Sequence, residues 1–239
     1  MTDSGAKKSR FFAGVRAGVP VILGFIPVGI AYAVMARQAG FTALETILMS
    51  AAVFAGASQM MAVGMYAQGA GVIAMILTTF ILNLRHLIMS TCVFNRLKGA
   101  GTGVKLLAAF GVTDETFAIF TTQEEQTCSA AFLFGLIAVA YLAWVAGSAI
   151  GAAASYFLPA VVSASLGIAL YAMFIGILAP SLKRNLRLAL LVVLTAAVNA
   201  VLTQFLPSSW ALILSTLICA GFGVFFVELE EQEDAGHVE

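Results

Sequence analysis

Charge is scarce in this 239-residue chain: 10% of the residues are Asp, Glu, Lys or Arg, against 61% that are hydrophobic. A soluble domain carries roughly a quarter charged residues, so too little polarity remains to cover a water-facing surface. The scarcity is also local. Residues 126–182 contain no Lys, Arg, Asp, Glu or His, and neither do residues 188–227. Each run exceeds the roughly 20 apolar residues that cross a bilayer core, and each is long enough for two spans. These runs lack apolar–polar alternation, which argues against barrel strands; in hydrocarbon the α-helix is then what satisfies every backbone group. The expected fold is all-α, a polytopic helical bundle integral to a membrane.

Other absences narrow the function. Cysteine is limited to Cys92, Cys128 and Cys219, far apart with no CxxC spacing, so these read as packing residues and not as a metal or redox site. No P-loop occurs, which excludes an ATP engine within this chain, and no HExxH, clustered metal ligands or nucleophile elbow supports a membrane enzyme. No cofactor is expected. Net charge is zero and the basic residues form short clusters, a pattern that gives nucleic acid no continuous patch. Lys7, Lys8 and Arg10 before an apolar stretch resemble a signal peptide, but Arg16, Pro20 and Pro27 interrupt that stretch, and it is longer than a signal core.

What remains is apolar sequence divided by polar and turn chemistry. Eight segments can be drawn, at 12–36, 44–67, 71–94, 104–122, 129–151, 158–180, 187–206 and 208–227. They form one transmembrane domain over residues 11–227, between a cytoplasmic N-terminal tail at 1–10 and an acidic C-terminal tail at 228–239. Basic residues in short loops stay on the cytoplasmic side, which places the N-terminus inside. Two topologies fit the clusters Lys7/Lys8/Arg10, Arg96/Lys98/Lys105 and Lys183/Arg184/Arg187. If all eight segments cross, the first and third clusters are cytoplasmic; if segments one and four each enter and leave on the same side, all three are. The preferred reading is that all eight cross. Segment four, short and acidic, and segment one, with its prolines, are the candidate broken elements.

The informative residues break the lipid pattern, because a charge near mid-membrane costs about 2.5–3.5 kcal/mol on insertion scales and normally faces a cavity or partner. In segment one, Pro20, Gly24, Pro27 and Gly29 predict a helix interrupted between Gly18 and Gly29. Half-helix ends exposed by such a break suit the carboxylate and ammonium of an amino acid; the alternative is a kinked packing helix. In segment two, Glu45, Ala52 and Gln59 fall within about 40° on a continuous helix, a polar stripe leading to Ser58 and Gln59. Those two could equally hydrogen-bond across helices, with Glu45 at the interface. In segment three Asn83, His86 and Ser90 share a face, while Arg85 points about 160° from Asn83. Arg85 can pair with Asp114 or Glu115, hold a substrate carboxylate by its planar fork, or snorkel. His86 is a proton relay or a packing residue. Asp114 and Glu115 in segment four are candidates to load and release a proton. The small-residue runs Gly14-x-x-x-Gly18 and Gly147-x-x-x-Gly151 suggest exposed helix-packing surfaces.

These motifs resemble the AzlC-type branched-chain amino-acid permease family, the large subunit of a two-component exporter. The resemblance runs from about Phe11 to Val227 and rests on the Gly/Pro pattern of segment one, Phe54-Ala-Gly56-Ala-Ser58-Gln59, Asn83-x-Arg85-His86 with Ser90, and Asp114-Glu115. Val28, where the family pattern leads one to expect Phe, departs from it. The resemblance implies export of leucine, isoleucine, valine or analogues across a bacterial cytoplasmic membrane, with a small hydrophobic companion subunit of AzlD type. The residues that break the lipid pattern then supply the candidate roles: Pro20, Gly24, Pro27, Gly29, Ser58, Gln59, Asn83 and Arg85 to bind substrate, and Asp114, Glu115 and His86 to couple it to protons. A channel or facilitator is the alternative, separated by dependence of flux on a pH gradient.

Overall fold

The computed structural model describes residues 3–97, 99–123, 128–155 and 185–226, with isolated positions between 157 and 183. Every regular element among them is a helix, so the chain is a polytopic helical membrane protein. Two compact units divide it, residues 1–172 and 173–239.

In the first unit α1 (Asp3–Gln38) and α7 (Ala130–Ala154) pack side by side along their length. Gly14 lies on Phe132, Gly29 on Trp144, Gly151 on Ile30, and Arg37 Nε donates to Ser155 Oγ at 3.4 Å. Residue numbers rise together along the contact, so the two helices run parallel. Small residues permit the approach: a Cβ on Gly147 would sit 2.7 Å from the Ile26 carbonyl oxygen. The runs Gly14/Gly18 and Gly147/Gly151, expected to be exposed surfaces, are therefore used within the chain.

The expected interruption of segment one is not found. Helix α1 continues through Pro20 and Pro27. Both prolines lie on its exposed side, away from α7. An interior proline costs about 3 kcal/mol, and continuous packing of the opposite face on α7 holds the helix together despite that.

The break falls in segment two instead, between α2 (Ala43–Val53) and α3 (Gly56–Ala67). Helix α2 starts at a capping box in which Glu45 Oε2 accepts from the Thr42 amide at 2.7 Å and Thr42 Oγ1 accepts from the Glu45 amide at 3.2 Å. It stops at Phe54, whose φ of 44° is left-handed. Helix α3 then returns to where α2 began: Tyr66, near its end, packs its ring 5.0 Å from that of Phe41. Segment two is thus a re-entrant hairpin, and the stripe Glu45–Ala52–Gln59, which presumed a continuous helix, does not exist. Glu45 is a cap at the hairpin base.

Helix α4 (Val72–Arg96) crosses to the opposite face. Segment four, a candidate broken element under the alternative topology, is broken into α5 (Thr102–Phe110) and α6 (Asp114–Thr121). Its two ends also meet. Lys105 Nζ lies 5.9 Å over the Phe94 ring, near the end of α4, while Arg96 Nη1 donates to the Gln123 carbonyl at 3.2 Å and approaches Cys128 Sγ at 3.8 Å. This second hairpin is based at the face where α1 and α7 begin, so the clusters Lys7/Lys8/Arg10 and Arg96/Lys105 share that face. Crossing by all eight segments is accordingly replaced by two opposed hairpins. Three described helices are long and apolar enough to span: Lys7–Gln38, Val72–Arg96 and Ala130–Ala154.

In the second unit α8 (Leu186–Leu202) and α9 (Ser208–Phe226) pack together. Asn185 caps α8 by accepting from the Leu188 amide at 3.0 Å, and Asn199 Nδ2 donates to Ser215 Oγ at 3.1 Å. Apart from Ile175 and Ala179, expected segment six lies outside the described residues, as does the acidic tail.

Candidate functional site

The hairpins approach from opposite faces, and their tips touch. The Phe54 ring, at the tip of hairpin one, is 6.3 Å from that of Phe110 at the tip of hairpin two. Tyr141 of α7 packs against both, at 5.2 and 6.1 Å. A bulky residue with positive φ stores about 1–3 kcal/mol of strain. Here the surroundings impose it: Phe54 is buried among Phe25, Phe110 and Tyr141. The Tyr141 hydroxyl also donates at 2.9 Å to the Ala51 carbonyl, one of those the helix end leaves without an internal partner. The tip of hairpin two is stitched by Thr113 and Thr116. Thr113 N donates to Thr116 Oγ1 at 2.8 Å, Thr116 N to Thr113 Oγ1 at 3.3 Å, and Thr116 Oγ1 lies 3.2 Å from the Gly111 carbonyl. The first amides of α3 and α6, and the positive ends of both half-helices, are thereby brought to the middle of the bundle.

A buried polar network fixes hairpin one to its neighbours. The Tyr32 hydroxyl donates to the Thr46 carbonyl at 3.2 Å, and Ser50 and Ser148 share a hydrogen bond of 2.6 Å. Gln59 Nε2 donates to Ser50 Oγ at 3.2 Å, while Trp144 Nε1, which can only donate, reaches Gln59 Oε1 at 3.1 Å. Gln59 is fully buried. Both ends of its amide are occupied, so in this conformation it holds the hairpin. Sequence reasoning missed Tyr32, Ser50, Tyr141, Trp144 and Ser148, because single hydroxyl and aromatic residues in apolar helices carry no periodic signal.

The middle of α4 serves both tips. Ser58 Oγ donates to Asn83 Oδ1 at 2.5 Å on the hairpin-one side. On the other side Arg85 Nη1 meets Asp114 Oδ2 at 2.6 Å, the side chains 34% and 35% exposed. The expected pairing of Arg85 thus falls to Asp114, at the start of α6, where a carboxylate also favours the helix end. Arg85 Nε and Thr78 Oγ1 are buried with no hydrogen-bond partner. His86 and Glu115 are partly buried next to the pair in sequence. The structure therefore gathers Ser58, Asn83, Arg85 and Asp114 around the tips. Segment one reaches the tips through Phe25 and not through the residues expected: Pro20, Gly24 and Pro27 occupy the exposed side of α1, and Gly29 packs on the Trp144 and Ser148 backbone.

Residues 20–158, which include both hairpins and the whole of α7, match the family model described as AzlC protein. The chain is 35% identical over 187 residues to an uncharacterized membrane protein of Archaeoglobus fulgidus, covering 77% of this chain and 82% of that one. It is 30% identical over 222 residues to the inner membrane protein YgaZ of Escherichia coli, covering 88% of each. With the branched-chain amino acid transport protein AzlC of Bacillus subtilis it shares 31% identity over 151 residues, 61% of this chain and 59% of the relative. No solved structure matches.

Proposed function

We propose that this chain, which belongs to the AzlC protein family, is a secondary transporter that exports branched-chain amino acids across a bacterial cytoplasmic membrane, driven by an ion gradient. The observation that carries this reading is the Arg85–Asp114 pair at the meeting point of the hairpin tips. A charge pair one-third exposed at that depth is unfavourable against lipid and calls for a water-accessible cavity or a bound polar solute. Discontinuous helices meeting at mid-membrane are the way many transporters hold a small zwitterion.

In the binding step the Arg85 guanidinium takes the substrate carboxylate. Freed backbone carbonyls at the tips, with Ser58 and Asn83, take the ammonium, and the rings of Phe54, Phe110 and Tyr141 face the branched aliphatic side chain. Asp114 or Glu115 carries the coupling proton, with His86 next in line. The substrate class is supported by the printed name of the Bacillus subtilis relative. Two basic clusters at one face support a cytoplasmic N-terminus. We extend the family reading to a small AzlD-type companion, which has to use a face other than the glycine runs engaged between α1 and α7.

Counterflow of labelled leucine in proteoliposomes, with and without the companion, tests the proposal. Leucine uptake into leucine-loaded vesicles that requires both chains is expected. No counterflow of leucine, isoleucine or valine with both chains present contradicts it.

A further inference from the structure

We infer that hairpin two is the gate of this transporter and that Asp114 is its latch, a built-in carboxylate that occupies Arg85 until the substrate carboxylate takes its place. This rests on the transport reading above. The two hairpins are alike in form and opposite in direction, each a half-helix in, a non-helical tip and a half-helix out, preceded by one crossing helix. Their attachments differ. Hairpin one is tied along its depth by Thr46 to Tyr32, Ser50 to Ser148, Gln59 to Trp144, Ala51 to Tyr141 and Ser58 to Asn83. Among the described residues, the hydrogen bonds and ion pairs that tie hairpin two to its neighbours are the Arg85–Asp114 pair at its tip and bonds at its base, where Arg96 reaches the Gln123 carbonyl and Cys128 the Phe120 carbonyl; its other contacts are Lys105 over the Phe94 ring and apolar packing, of Phe110 on Tyr141 and of Val112 and Phe120 in the cluster with Phe132 and Leu136. An open cleft of about 570 Å³ bordered by Arg16, Gln123 and Phe132 lies beside that base. A carboxylate bound to Arg85 releases the tip by direct competition, because the guanidinium face toward Asp114 cannot serve both. Hairpin one stays fixed as the wall.

The test is the rate of maleimide labelling of single cysteines in the full chain, with Cys92, Cys128 and Cys219 replaced by serine. Val112→Cys reports the tip of hairpin two, where Val112 is buried, and Ala57→Cys reports the tip of hairpin one, where Ala57 is buried too. Asp114→Asn is expected to speed labelling at position 112 about fivefold. Saturating leucine should do the same without that substitution, leucinol, which lacks the carboxylate, should not, and position 57 should stay slow throughout. Unchanged labelling at 112 in Asp114→Asn, or equal acceleration at 57, overturns the gate. Acceleration by Asp114→Asn with no response to leucine upholds the latch and counts against the amino-acid reading instead.

Discussion

Phe54 and Arg85 show what single residues reveal in advance. The need of a membrane arginine for a carboxylate follows from charge alone, and Asp114 meets it at 2.6 Å. Nothing in the sequence marks Phe54 as the left-handed residue, since that conformation normally selects glycine; it is held by rings distant in sequence and by the Tyr141 bond to Ala51. Two predictions belong here. Replacing Phe54 by Ala keeps the strain and loses the ring, whereas Gly loses the ring and relieves the strain. Phe54→Gly should therefore be the more stable variant by about 1 kcal/mol, the reverse of the usual helix order, in thermal unfolding of the detergent-solubilised protein. Gly no better than Ala would contradict the backbone assignment. Arg85→Ala strands the Asp114 carboxylate, so it should reduce folded yield more than Arg85→Ala with Asp114→Ala. Comparison of the two by size-exclusion recovery decides it.

At the scale of elements, proline misled and glycine informed in part. The prolines and glycines of segment one together suggest a break, but in the fold they sit on different faces, prolines outward and Gly14, Gly18 and Gly29 toward α7. The spacing of the glycine runs announces close helix packing but cannot say whether the partner is in the same chain. A Cβ at Gly147 meets the Ile26 backbone, which cannot rotate away, while one at Gly24 meets nothing within 4 Å. Gly147→Ala should accordingly destabilise by about 1–3 kcal/mol, as overpacking does. Gly24→Ala should stay within about 0.5 kcal/mol of the parent. Equal melting temperatures for the two variants would show that α1 and α7 do not pack this way.

At the scale of the whole chain the apolar segments were apparent, but crossing and returning were not. Residues 44–67 have the length and hydropathy of a span, and two half-helices bring the same composition to the same depth. What separates them is the turn at Phe54 and the meeting of Tyr66 with Phe41, neither of which has a periodic signature. Segment four betrayed itself more, being short with Asp114 and Glu115 in its middle. If these carboxylates carry the coupling proton, at least one of Glu115→Gln and Asp114→Asn should make leucine exchange indifferent to an imposed pH gradient; a full response in both would move that role to His86.

The central claim is that two hairpins enter from opposite faces and meet tip to tip between α4 and α7. Sided cysteine labelling tests it most directly, using an impermeant maleimide on right-side-out and inverted vesicles, with the three native cysteines replaced by serine. Gln38→Cys and Gln68→Cys flank hairpin one, and Gly101→Cys and Thr122→Cys flank hairpin two; all four positions are exposed. The account predicts that the first two label from one face of the membrane and the last two from the other. Labelling of positions 38 and 68 from opposite faces, or of 101 and 122 from opposite faces, would make that segment a crossing helix and contradict the account.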